Sequence, residues 1–225
     1  MRMQDYITRY DSLASEDSLF EIPIRKEYIL SKIGRGKRVL DVGCLGGKLS
    51  RLIMDQKNDV FGVEVNPVAA AVAERRGVRV IVANVEQGLP FDDSYFDVVN
   101  AGEVVGYLYD TKFFFEEMKR VLKDQGIILF TAPNLNSIEN RLRIFSGGYL
   151  NMVGAYPEDH FGKQVRVFNL KKIRELCDQT GLEVTDMSGI LNLETHGKWI
   201  DSPLFWVGKK FPSFSKLLMV TARKK

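Results

Sequence analysis

The sequence predicts an α/β protein with a doubly wound, mostly parallel sheet of seven strands and helices on both faces. Strand-like and helical patterns alternate regularly from residue 37 onward, which is typical of β-α-β units. Several of the strand-like segments are near-continuous apolar runs, such as VIV at 80–82 and IILF at 127–130. Such runs are expected where a strand is buried on both sides, as in a parallel sheet covered by helices.

The individual elements follow from local periodicity and from glycine positions. An N-terminal helix is expected within residues 4–33, because Ile24, Tyr28, Ile29 and Ile33 recur at helical spacing. Strands are predicted at 38–43, 60–65, 78–83, 96–101, 127–132, 182–187 and 216–222, and helices at 47–56, 67–76, 111–123 and 170–180. Residues 133–168 are less regular, and residues 202–212 form an excursion before the last strand. We therefore expect a helical extension over 1–36 and one domain over 37–225, with an insertion at about 133–168.

Composition and charge exclude several classes of protein. The net charge of +3 comes from mixed acidic and basic residues, whereas a nucleic-acid-binding protein needs a clustered basic face. The N-terminus lacks the apolar core of a signal peptide, and no run approaches the roughly 20 apolar residues of a membrane span. Cys44 and Cys177 belong to no metal-spacing motif. We expect a cytoplasmic protein with no metal, no nucleic-acid partner and no integral membrane segment.

The turn after the first strand, VLDVGCLGG at 39–47, carries the first functional signal. Its glycines are Gly43, Gly46 and Gly47, and Asp41 lies two residues before the first of them. A dinucleotide-binding turn has the spacing G-x-G-x-x-G without such an acid, which would repel a pyrophosphate. The Asp41 carboxylate could instead accept hydrogen bonds from loop amides or attract a cation. A phosphate-free ligand with a positive end, such as S-adenosylmethionine, suits this turn.

The end of the second strand carries the second signal. In VFGVEVNP, Glu64 lies 23 residues beyond Asp41, an offset at which an acid can accept hydrogen bonds from both ribose hydroxyls. Taken alone, such a residue is more often a surface group or the neighbour of a helix N-cap. Its combination with the glycine turn favours the ribose-binding interpretation.

Four segments in order resemble the class I S-adenosylmethionine-dependent methyltransferase family. VLDVGCLGG resembles its first motif, and VFGVEVNP resembles its ribose-binding motif. ANVEQGLPFDDSYFDVV and RVLKDQGIILFTAPN resemble its third-to-fourth-strand and fifth-strand segments. The resemblance covers residues 37–132 well and 133–225 more loosely. It implies a Rossmann-like methyltransferase fold, S-adenosyl-L-methionine as methyl donor and S-adenosyl-L-homocysteine as product.

The resemblance also implies roles for individual residues. Asp41, Gly43 and Gly47 would shape the loop that binds the methionine part, Glu64 would bind the ribose, and Val65 would pack against the adenine. Asn84 and Val85 would meet the adenine edge, and Ala101 and Gly102 would line the methionyl side. Tyr6 or Tyr10 could close the pocket from the N-terminal helix.

This sequence departs from the family pattern at three places. Leu45 replaces the usual middle glycine, and we expect Gly46 to take over the backbone freedom that is lost. Asn84 replaces an aspartate, a mild change because an amide still accepts and donates. Gly106 and Tyr107 stand where many relatives have Glu-His, which leaves His160, in the insertion, as the candidate general base. Glu103, Tyr107 and Asp110 are alternative bases, and His160 taken alone would more often be a hydrogen-bonded surface group.

The expected function is therefore S-adenosylmethionine-dependent methylation, with O-methylation of a small or lipid-linked metabolite of sugar, lipid or isoprenoid type favoured by the resemblance. The aromatic residues of 145–156 and 199–211 could form an apolar lid, or they could be core residues or contacts of a homodimer. One alternative is a non-catalytic partner subunit that retains the fold and still binds the cofactor. A nicotinamide oxidoreductase is disfavoured by the glycine spacing and by Asp41.

Overall fold

A computed structural model describes residues 23–150, 164–191 and 203–225. Its centre is a seven-stranded sheet in the spatial order β3-β2-β1-β4-β5-β7-β6. The strands are β1 Arg38–Val42, β2 Asp59–Glu64, β3 Arg79–Val82, β4 Phe96–Gly102, β5 Leu122–Pro133, β6 Leu182–Ile190 and β7 Leu217–Lys224. Strands β1 to β5 pair in parallel, and β7 pairs antiparallel with both β5 and β6. The predicted fold class is confirmed.

Seven α-helices are present in the described ranges. They are α1 Pro23–Ile33, α2 Lys48–Asp55, α3 Pro67–Arg75, α4 Thr111–Val121, α5 Ile138–Phe145, α6 Leu170–Gln179 and α7 Pro203–Lys210. Side-chain caps explain where several of them begin: Asn66, Asp110, Ser137 and Asn169 each accept a hydrogen bond from an amide of the first helical turn. None of these helices is long and apolar enough to cross a membrane.

Two apolar layers cover the two faces of the sheet. On one face, Ile29 and Ile33 of α1, Ile53 of α2 and Ala73 of α3 pack with Val39, Val98 and Met219 from the strands. On the other face, Phe114, Phe115 and Met118 of α4 and Ile173 of α6 pack with Val99, Ile128 and Phe130. Helices on both faces leave the ends of the strands as the accessible edges of the sheet.

The main differences from the sequence prediction lie in the connections. Helix α5 lies in the segment predicted to be irregular, and α7 lies in the predicted excursion. Helix α4 ends at Val121, two residues earlier than predicted, because Leu122 is already fully buried and pairs with Phe96 as the first residue of β5. The antiparallel position of β7 between β5 and β6 also emerges only from the structure.

Candidate functional site

In the glycine turn at the carboxyl end of β1, every second residue from Gly43 to Gly47 has a left-handed backbone conformation. Gly43, Leu45 and Gly47 have positive φ angles of 67°, 47° and 75°. Gly47 must be glycine, because a Cβ there would lie 2.7 Å from the Cβ of Ala73 in α3. Gly46 is not among the residues with positive φ, so the expectation that it takes over the backbone freedom is wrong. Leu45 itself adopts the left-handed conformation that the family's glycine would occupy.

Glu64 ties the end of β2 to this turn. Its carboxylate is buried, with Oε2 accepting from the Leu45 amide at 2.9 Å and Oε1 accepting from the Asn66 amide at 2.9 Å. The Leu45 bond holds the strained residue in place. Each carboxylate oxygen keeps a second lone pair. Burial raises the pKa of Glu64, and the backbone donors partly offset that rise.

Asp41 lies beneath the turn in a small polar network. It accepts from Ser50 Oγ of α2 at 2.5 Å and from Asn100 Nδ2 of β4 at 2.7 Å. The donors are therefore side chains and not the loop amides considered from the sequence. Burial raises the pKa of Asp41, while the bonds from Ser50 and Asn100 and the charge of Arg25 act in the opposite direction. The Asn100 Oδ1 atom is buried without a hydrogen-bond partner.

The residues expected near the adenine follow the ends of β2 and β3. Val65 is 54% exposed and presents an apolar surface beside Glu64. Asn84 caps the turn that follows β3, with Oδ1 accepting from the Glu86 amide at 3.0 Å. Val85 is partly buried and packs against the main core. One lone pair of the Asn84 oxygen is thus engaged, whereas the surface of Val65 is open.

The end of β4 lies beside that of β1, on the side away from β2. Ala101 is fully buried in the core, so only its backbone could face a ligand. A Cβ on Gly102 would meet no atom within 4 Å, which shows open space at that position. Glu103 has a φ of 58°, donates its amide hydrogen to Thr131 Oγ1 at 2.8 Å, and pairs with Arg25 of α1 at 3.5 Å. Non-glycine residues in this conformation are uncommon and concentrate at functional sites.

The turn after β4 explains one departure from the family pattern. A Cβ on Gly106 would lie 2.7 Å from Cδ of Gln164, a buried side chain of the segment that returns over this turn. The Gly106 carbonyl also accepts from the Val165 and Arg166 amides at 2.9 and 3.0 Å. The space of the family's glutamate is therefore occupied by Gln164. Tyr107 is 42% exposed, and the Asp110 carboxylate caps α4.

Three of the predicted site residues, Tyr6, Tyr10 and His160, lie outside the described residues. Three residues that the structure places at this edge were not predicted from the sequence: Ser50, Asn100 and Arg25. Asn100 pairs in register with Asp41, and a polar residue inside the apolar run VVNAG was a usable signal for it. Ser50 and Arg25 carried no comparable signal.

The fold and this edge together define a class of protein: a doubly wound α/β protein whose ligand site is expected at the carboxyl ends of its strands, where the strand order reverses. The carboxyl groups of Asp41 and Glu64 are buried at this edge, and in their ionised form they disfavour phosphate and favour a cationic ligand. The free lone pairs of Glu64, the apolar surface of Val65 and the open space at Gly102 fit a ribose, an adenine and a methionyl chain.

Comparisons with known proteins agree with this class. The pattern of the family described as "Methyltransferase domain" matches residues 40–130. A ubiquinone biosynthesis O-methyltransferase of Aliivibrio fischeri is 27% identical over 201 residues, which cover 84% of each chain. Among solved structures, one chain of the complex between the Haloferax volcanii Trm112 methyltransferase activator and a protein designated a methyltransferase matches with a TM-score of 0.71, at 18% identity over 99% of this chain and 97% of that chain.

A further solved structure carries the product of the cofactor. The Burkholderia thailandensis 1,6-didemethyltoxoflavin-N1-methyltransferase, with bound 1,6-didemethyltoxoflavin and S-adenosylhomocysteine, matches with a TM-score of 0.65 at 16% identity, over 99% of this chain and 86% of that chain. The family pattern and the solved structures that share this fold are those of class I S-adenosylmethionine-dependent methyltransferases, in agreement with the sequence motifs. The protein is an enzyme that uses S-adenosyl-L-methionine as its methyl donor.

Proposed function

We propose that the protein transfers the methyl group to an oxygen atom of a small or lipid-linked metabolite. The observation that carries this proposal is the similarity to ubiquinone biosynthesis O-methyltransferases along 84% of both chains. The carboxylate of Glu103, beside the open space at Gly102, adds a group that can orient a hydroxyl acceptor. A homodimer is compatible with this function and is tested below.

The cofactor side of the mechanism rests on the carboxylates and on Arg25. Bound S-adenosylmethionine supplies a methyl group on a positively charged sulfur. Glu64 accepts hydrogen bonds from the two ribose hydroxyls through its remaining lone pairs, and Val65 packs against the adenine beside Asn84 and Val85. The turn shaped by Asp41, Gly43 and Gly47 receives the methionine part, and its buried negative charge favours the ammonium group.

The methionyl end meets the strand end at Ala101 and Gly102. Arg25 reaches this place from α1 and forms an ion pair with Glu103, which puts its guanidinium beside the proposed position of the methionyl carboxylate. Holding donor and acceptor in line contributes up to roughly 7–11 kcal/mol to catalysis when the geometry is ideal. The residues of this edge therefore act mainly by positioning.

The acceptor side involves the insertion at 133–168, which we propose covers the acceptor pocket. Here His160 is the proposed general base that removes the hydroxyl proton, since its ordinary pKa lies near neutrality. Glu103, Tyr107 and Asp110 are the alternative bases, and of these Glu103 has a side chain that is 24% exposed and held by Arg25. We further propose that residues 1–36 are an N-terminal extension of the methyltransferase domain, which would begin at residue 37.

A methyl-acceptor screen tests the proposal. The protein is incubated with S-adenosylmethionine and with hydroxyl, amine and thiol acceptors of sugar, lipid and isoprenoid type, and methylated products are detected by mass spectrometry. Products from hydroxyl acceptors alone support O-methylation, and products from amines alone overturn it. With an active acceptor, His160→Ala is expected to lower turnover by about 100-fold or more without changing cofactor affinity. Unchanged turnover would remove His160 as the base.

A further inference from the structure

Helix α5 carries its apolar residues on the side that faces water. Ile138, Leu142 and Phe145 are spaced as one helical face and are 44%, 62% and 92% exposed. The buried residue of this helix is the polar Asn140, which donates to the Asn134 carbonyl. An apolar helical face is normally buried, so this inverted arrangement is typical of a contact surface.

The segment around α7 continues this surface. Trp206, Phe211 and Phe214 are 61%, 46% and 38% exposed. Arg141 of α5 lies 4.9 Å from the ring centre of Phe214, which joins the two segments. On its inner side α7 approaches the sheet closely, since a Cβ on the buried Gly208 would clash with the Gly189 carbonyl of β6. We call the exposed side chains of residues 138–149 and 206–216 the aromatic–basic face.

The aromatic–basic face is positively charged. It carries the basic residues Arg141, Arg143, Lys209, Lys210 and Lys216 and the single acid Glu139, a net charge of +4 within a chain of net charge +3. Glu139 is paired with both Lys216 and Arg143, at 2.5 and 3.2 Å. The remainder of the chain therefore has a slightly negative net charge.

One lysine of this face, Lys210, lies close to two aromatic rings. Lys210 Nζ is 4.8 Å from the ring centre of Trp206 and 5.8 Å from that of Phe211. Protein–protein interfaces are depleted in lysine and bury their aromatic anchors in pockets, whereas Phe145 protrudes. Mixed tryptophan, phenylalanine and lysine on a short amphipathic segment are typical of the boundary between lipid headgroups and acyl chains.

We propose that the aromatic–basic face docks the protein on the surface of an anionic lipid bilayer. Leu142 and Phe145 enter the boundary with the acyl chains, and Lys209 and Lys210 meet the headgroup phosphates. The face borders the active edge of the sheet: α5 follows the carboxyl end of β5, and Leu217 at the start of β7 pairs with Pro133. Docking places the mouth of the cofactor crevice beside the membrane. This inference does not depend on the identity of the methyl acceptor.

Vesicle co-sedimentation tests the docking. The full chain is mixed with phosphatidylglycerol–phosphatidylcholine vesicles or with pure phosphatidylcholine vesicles, and the bound fraction is measured at low and high salt. Binding is expected with the anionic vesicles and should weaken with salt. No binding to the anionic vesicles, or equal binding to both types, would overturn the proposal.

Two double variants separate the electrostatic and apolar contributions. Lys209→Glu/Lys210→Glu is expected to weaken binding to anionic vesicles by about 30-fold or more, and Leu142→Ser/Phe145→Ser by about tenfold or more. Lys171→Glu/Lys172→Glu, the same charge change on two exposed residues of α6, is the matched control and should bind nearly as the wild type does. Loss of binding in this control to the extent seen for Lys209→Glu/Lys210→Glu would show a nonspecific charge effect and overturn the proposal.

Light scattering tests the remaining alternative, in which a second copy of the chain binds to the aromatic–basic face. A dimer that Leu142→Ser/Phe145→Ser converts to a monomer, with vesicle binding unchanged, would assign the face to dimerisation and overturn membrane docking. The variants replace exposed residues, so their thermal unfolding should match that of the wild type, and this is checked by circular dichroism.

Discussion

Leu45 adopts a backbone conformation that glycine reaches at lower cost. A left-handed conformation costs a leucine roughly 1–2 kcal/mol, yet here it directs the Leu45 amide at Glu64. The cost falls on the turn that we propose binds the cofactor, where the family usually has glycine.

Replacement of Leu45 tests this cost. Leu45→Gly relieves the strain but increases the entropy of the unfolded chain, so a net stabilisation of up to about 1 kcal/mol is expected in urea unfolding. Affinity for S-adenosylhomocysteine should be unchanged or higher. Lys57→Gly is the matched control, because Lys57 has a φ of 67° in the turn after α2; it should show the stability gain with no effect on affinity. A less stable Leu45→Gly variant would mean that Leu45 packing outweighs the strain.

Asp41 links stability to pH. Burial raises its pKa, so the native protein binds this proton more tightly than the unfolded chain does. Its contribution to stability is therefore present below the pKa of the unfolded carboxyl and is lost as pH rises through the native pKa. Ionisation of this buried carboxyl therefore costs stability, and a bound cation would offset part of that cost.

The variant Asp41→Asn tests this linkage. The Asn100 amide can rotate so that its unpartnered Oδ1 accepts from the new amide group. The unfolding free energy of the variant relative to the wild type should rise as pH increases from the acidic range to neutrality, while affinity for S-adenosylmethionine falls by roughly 1–2 kcal/mol.

Asp97 is the control for this test, because its contribution to stability should depend on pH in the opposite direction. Asp97 is partly buried, which alone would raise its pKa, but the bonds from Lys123 and the Arg38 amide hold its pKa below the ordinary value. Its contribution is present above the unfolded pKa and is lost as pH falls, so Asp97→Asn should be destabilised most at neutral pH. The same pH trend for both variants would contradict the burial of Asp41.

At the scale of elements, α1 connects the antiparallel edge of the sheet with the active edge. Tyr28 Oη is 2.8 Å from Thr221 Oγ1 of β7 and donates to Asp186 of β6 at 3.1 Å, and Lys32 pairs with Asp186 at 2.7 Å. At the other end of the helix, Arg25 reaches Glu103. Anchoring by Tyr28 therefore also sets the position of Arg25.

Removal of one hydroxyl tests this anchoring. Tyr28→Phe removes the hydrogen bond between Tyr28 Oη and the buried Oγ1 of Thr221. The unfolding free energy, measured by urea denaturation, should therefore fall by about 1–2 kcal/mol. The control Tyr109→Phe, at a residue 66% exposed, should change stability little. Equal stability of the two variants would show that apolar packing alone holds α1.

The elements differ in how well their sequences predict them. Helices α2, α3, α4 and α6 bury an apolar stripe, and their periodicity located each of them to within two residues. Helix α5 has its apolar residues outside and a polar residue inside, so the rule that the apolar face is buried did not apply to it. Helix α7 is short and contains Gly208, which weakens the helical pattern.

At the scale of the whole molecule, strand identity was predictable and strand order was only partly so. Continuous apolar runs identified the strands, and β-α-β alternation placed the first five in parallel. No local pattern shows that β7 inserts antiparallel between β5 and β6. Likewise Asp41 and Glu64 were visible in the sequence, whereas Arg25 reaches the site only through the docking of α1.

The account centres on Glu64 as the ribose-binding residue of an S-adenosylmethionine crevice, and calorimetric titration with S-adenosylhomocysteine tests it most directly. The wild type should bind this ligand and not NADH. Glu64→Gln keeps one acceptor oxygen and replaces the other by an amide group that donates, so the binding free energy should weaken by about 1.5–3 kcal/mol. The control Glu183→Gln, on the exposed edge strand, should bind as the wild type does. Wild-type affinity in Glu64→Gln, or binding of NADH in place of S-adenosylhomocysteine, would contradict the account.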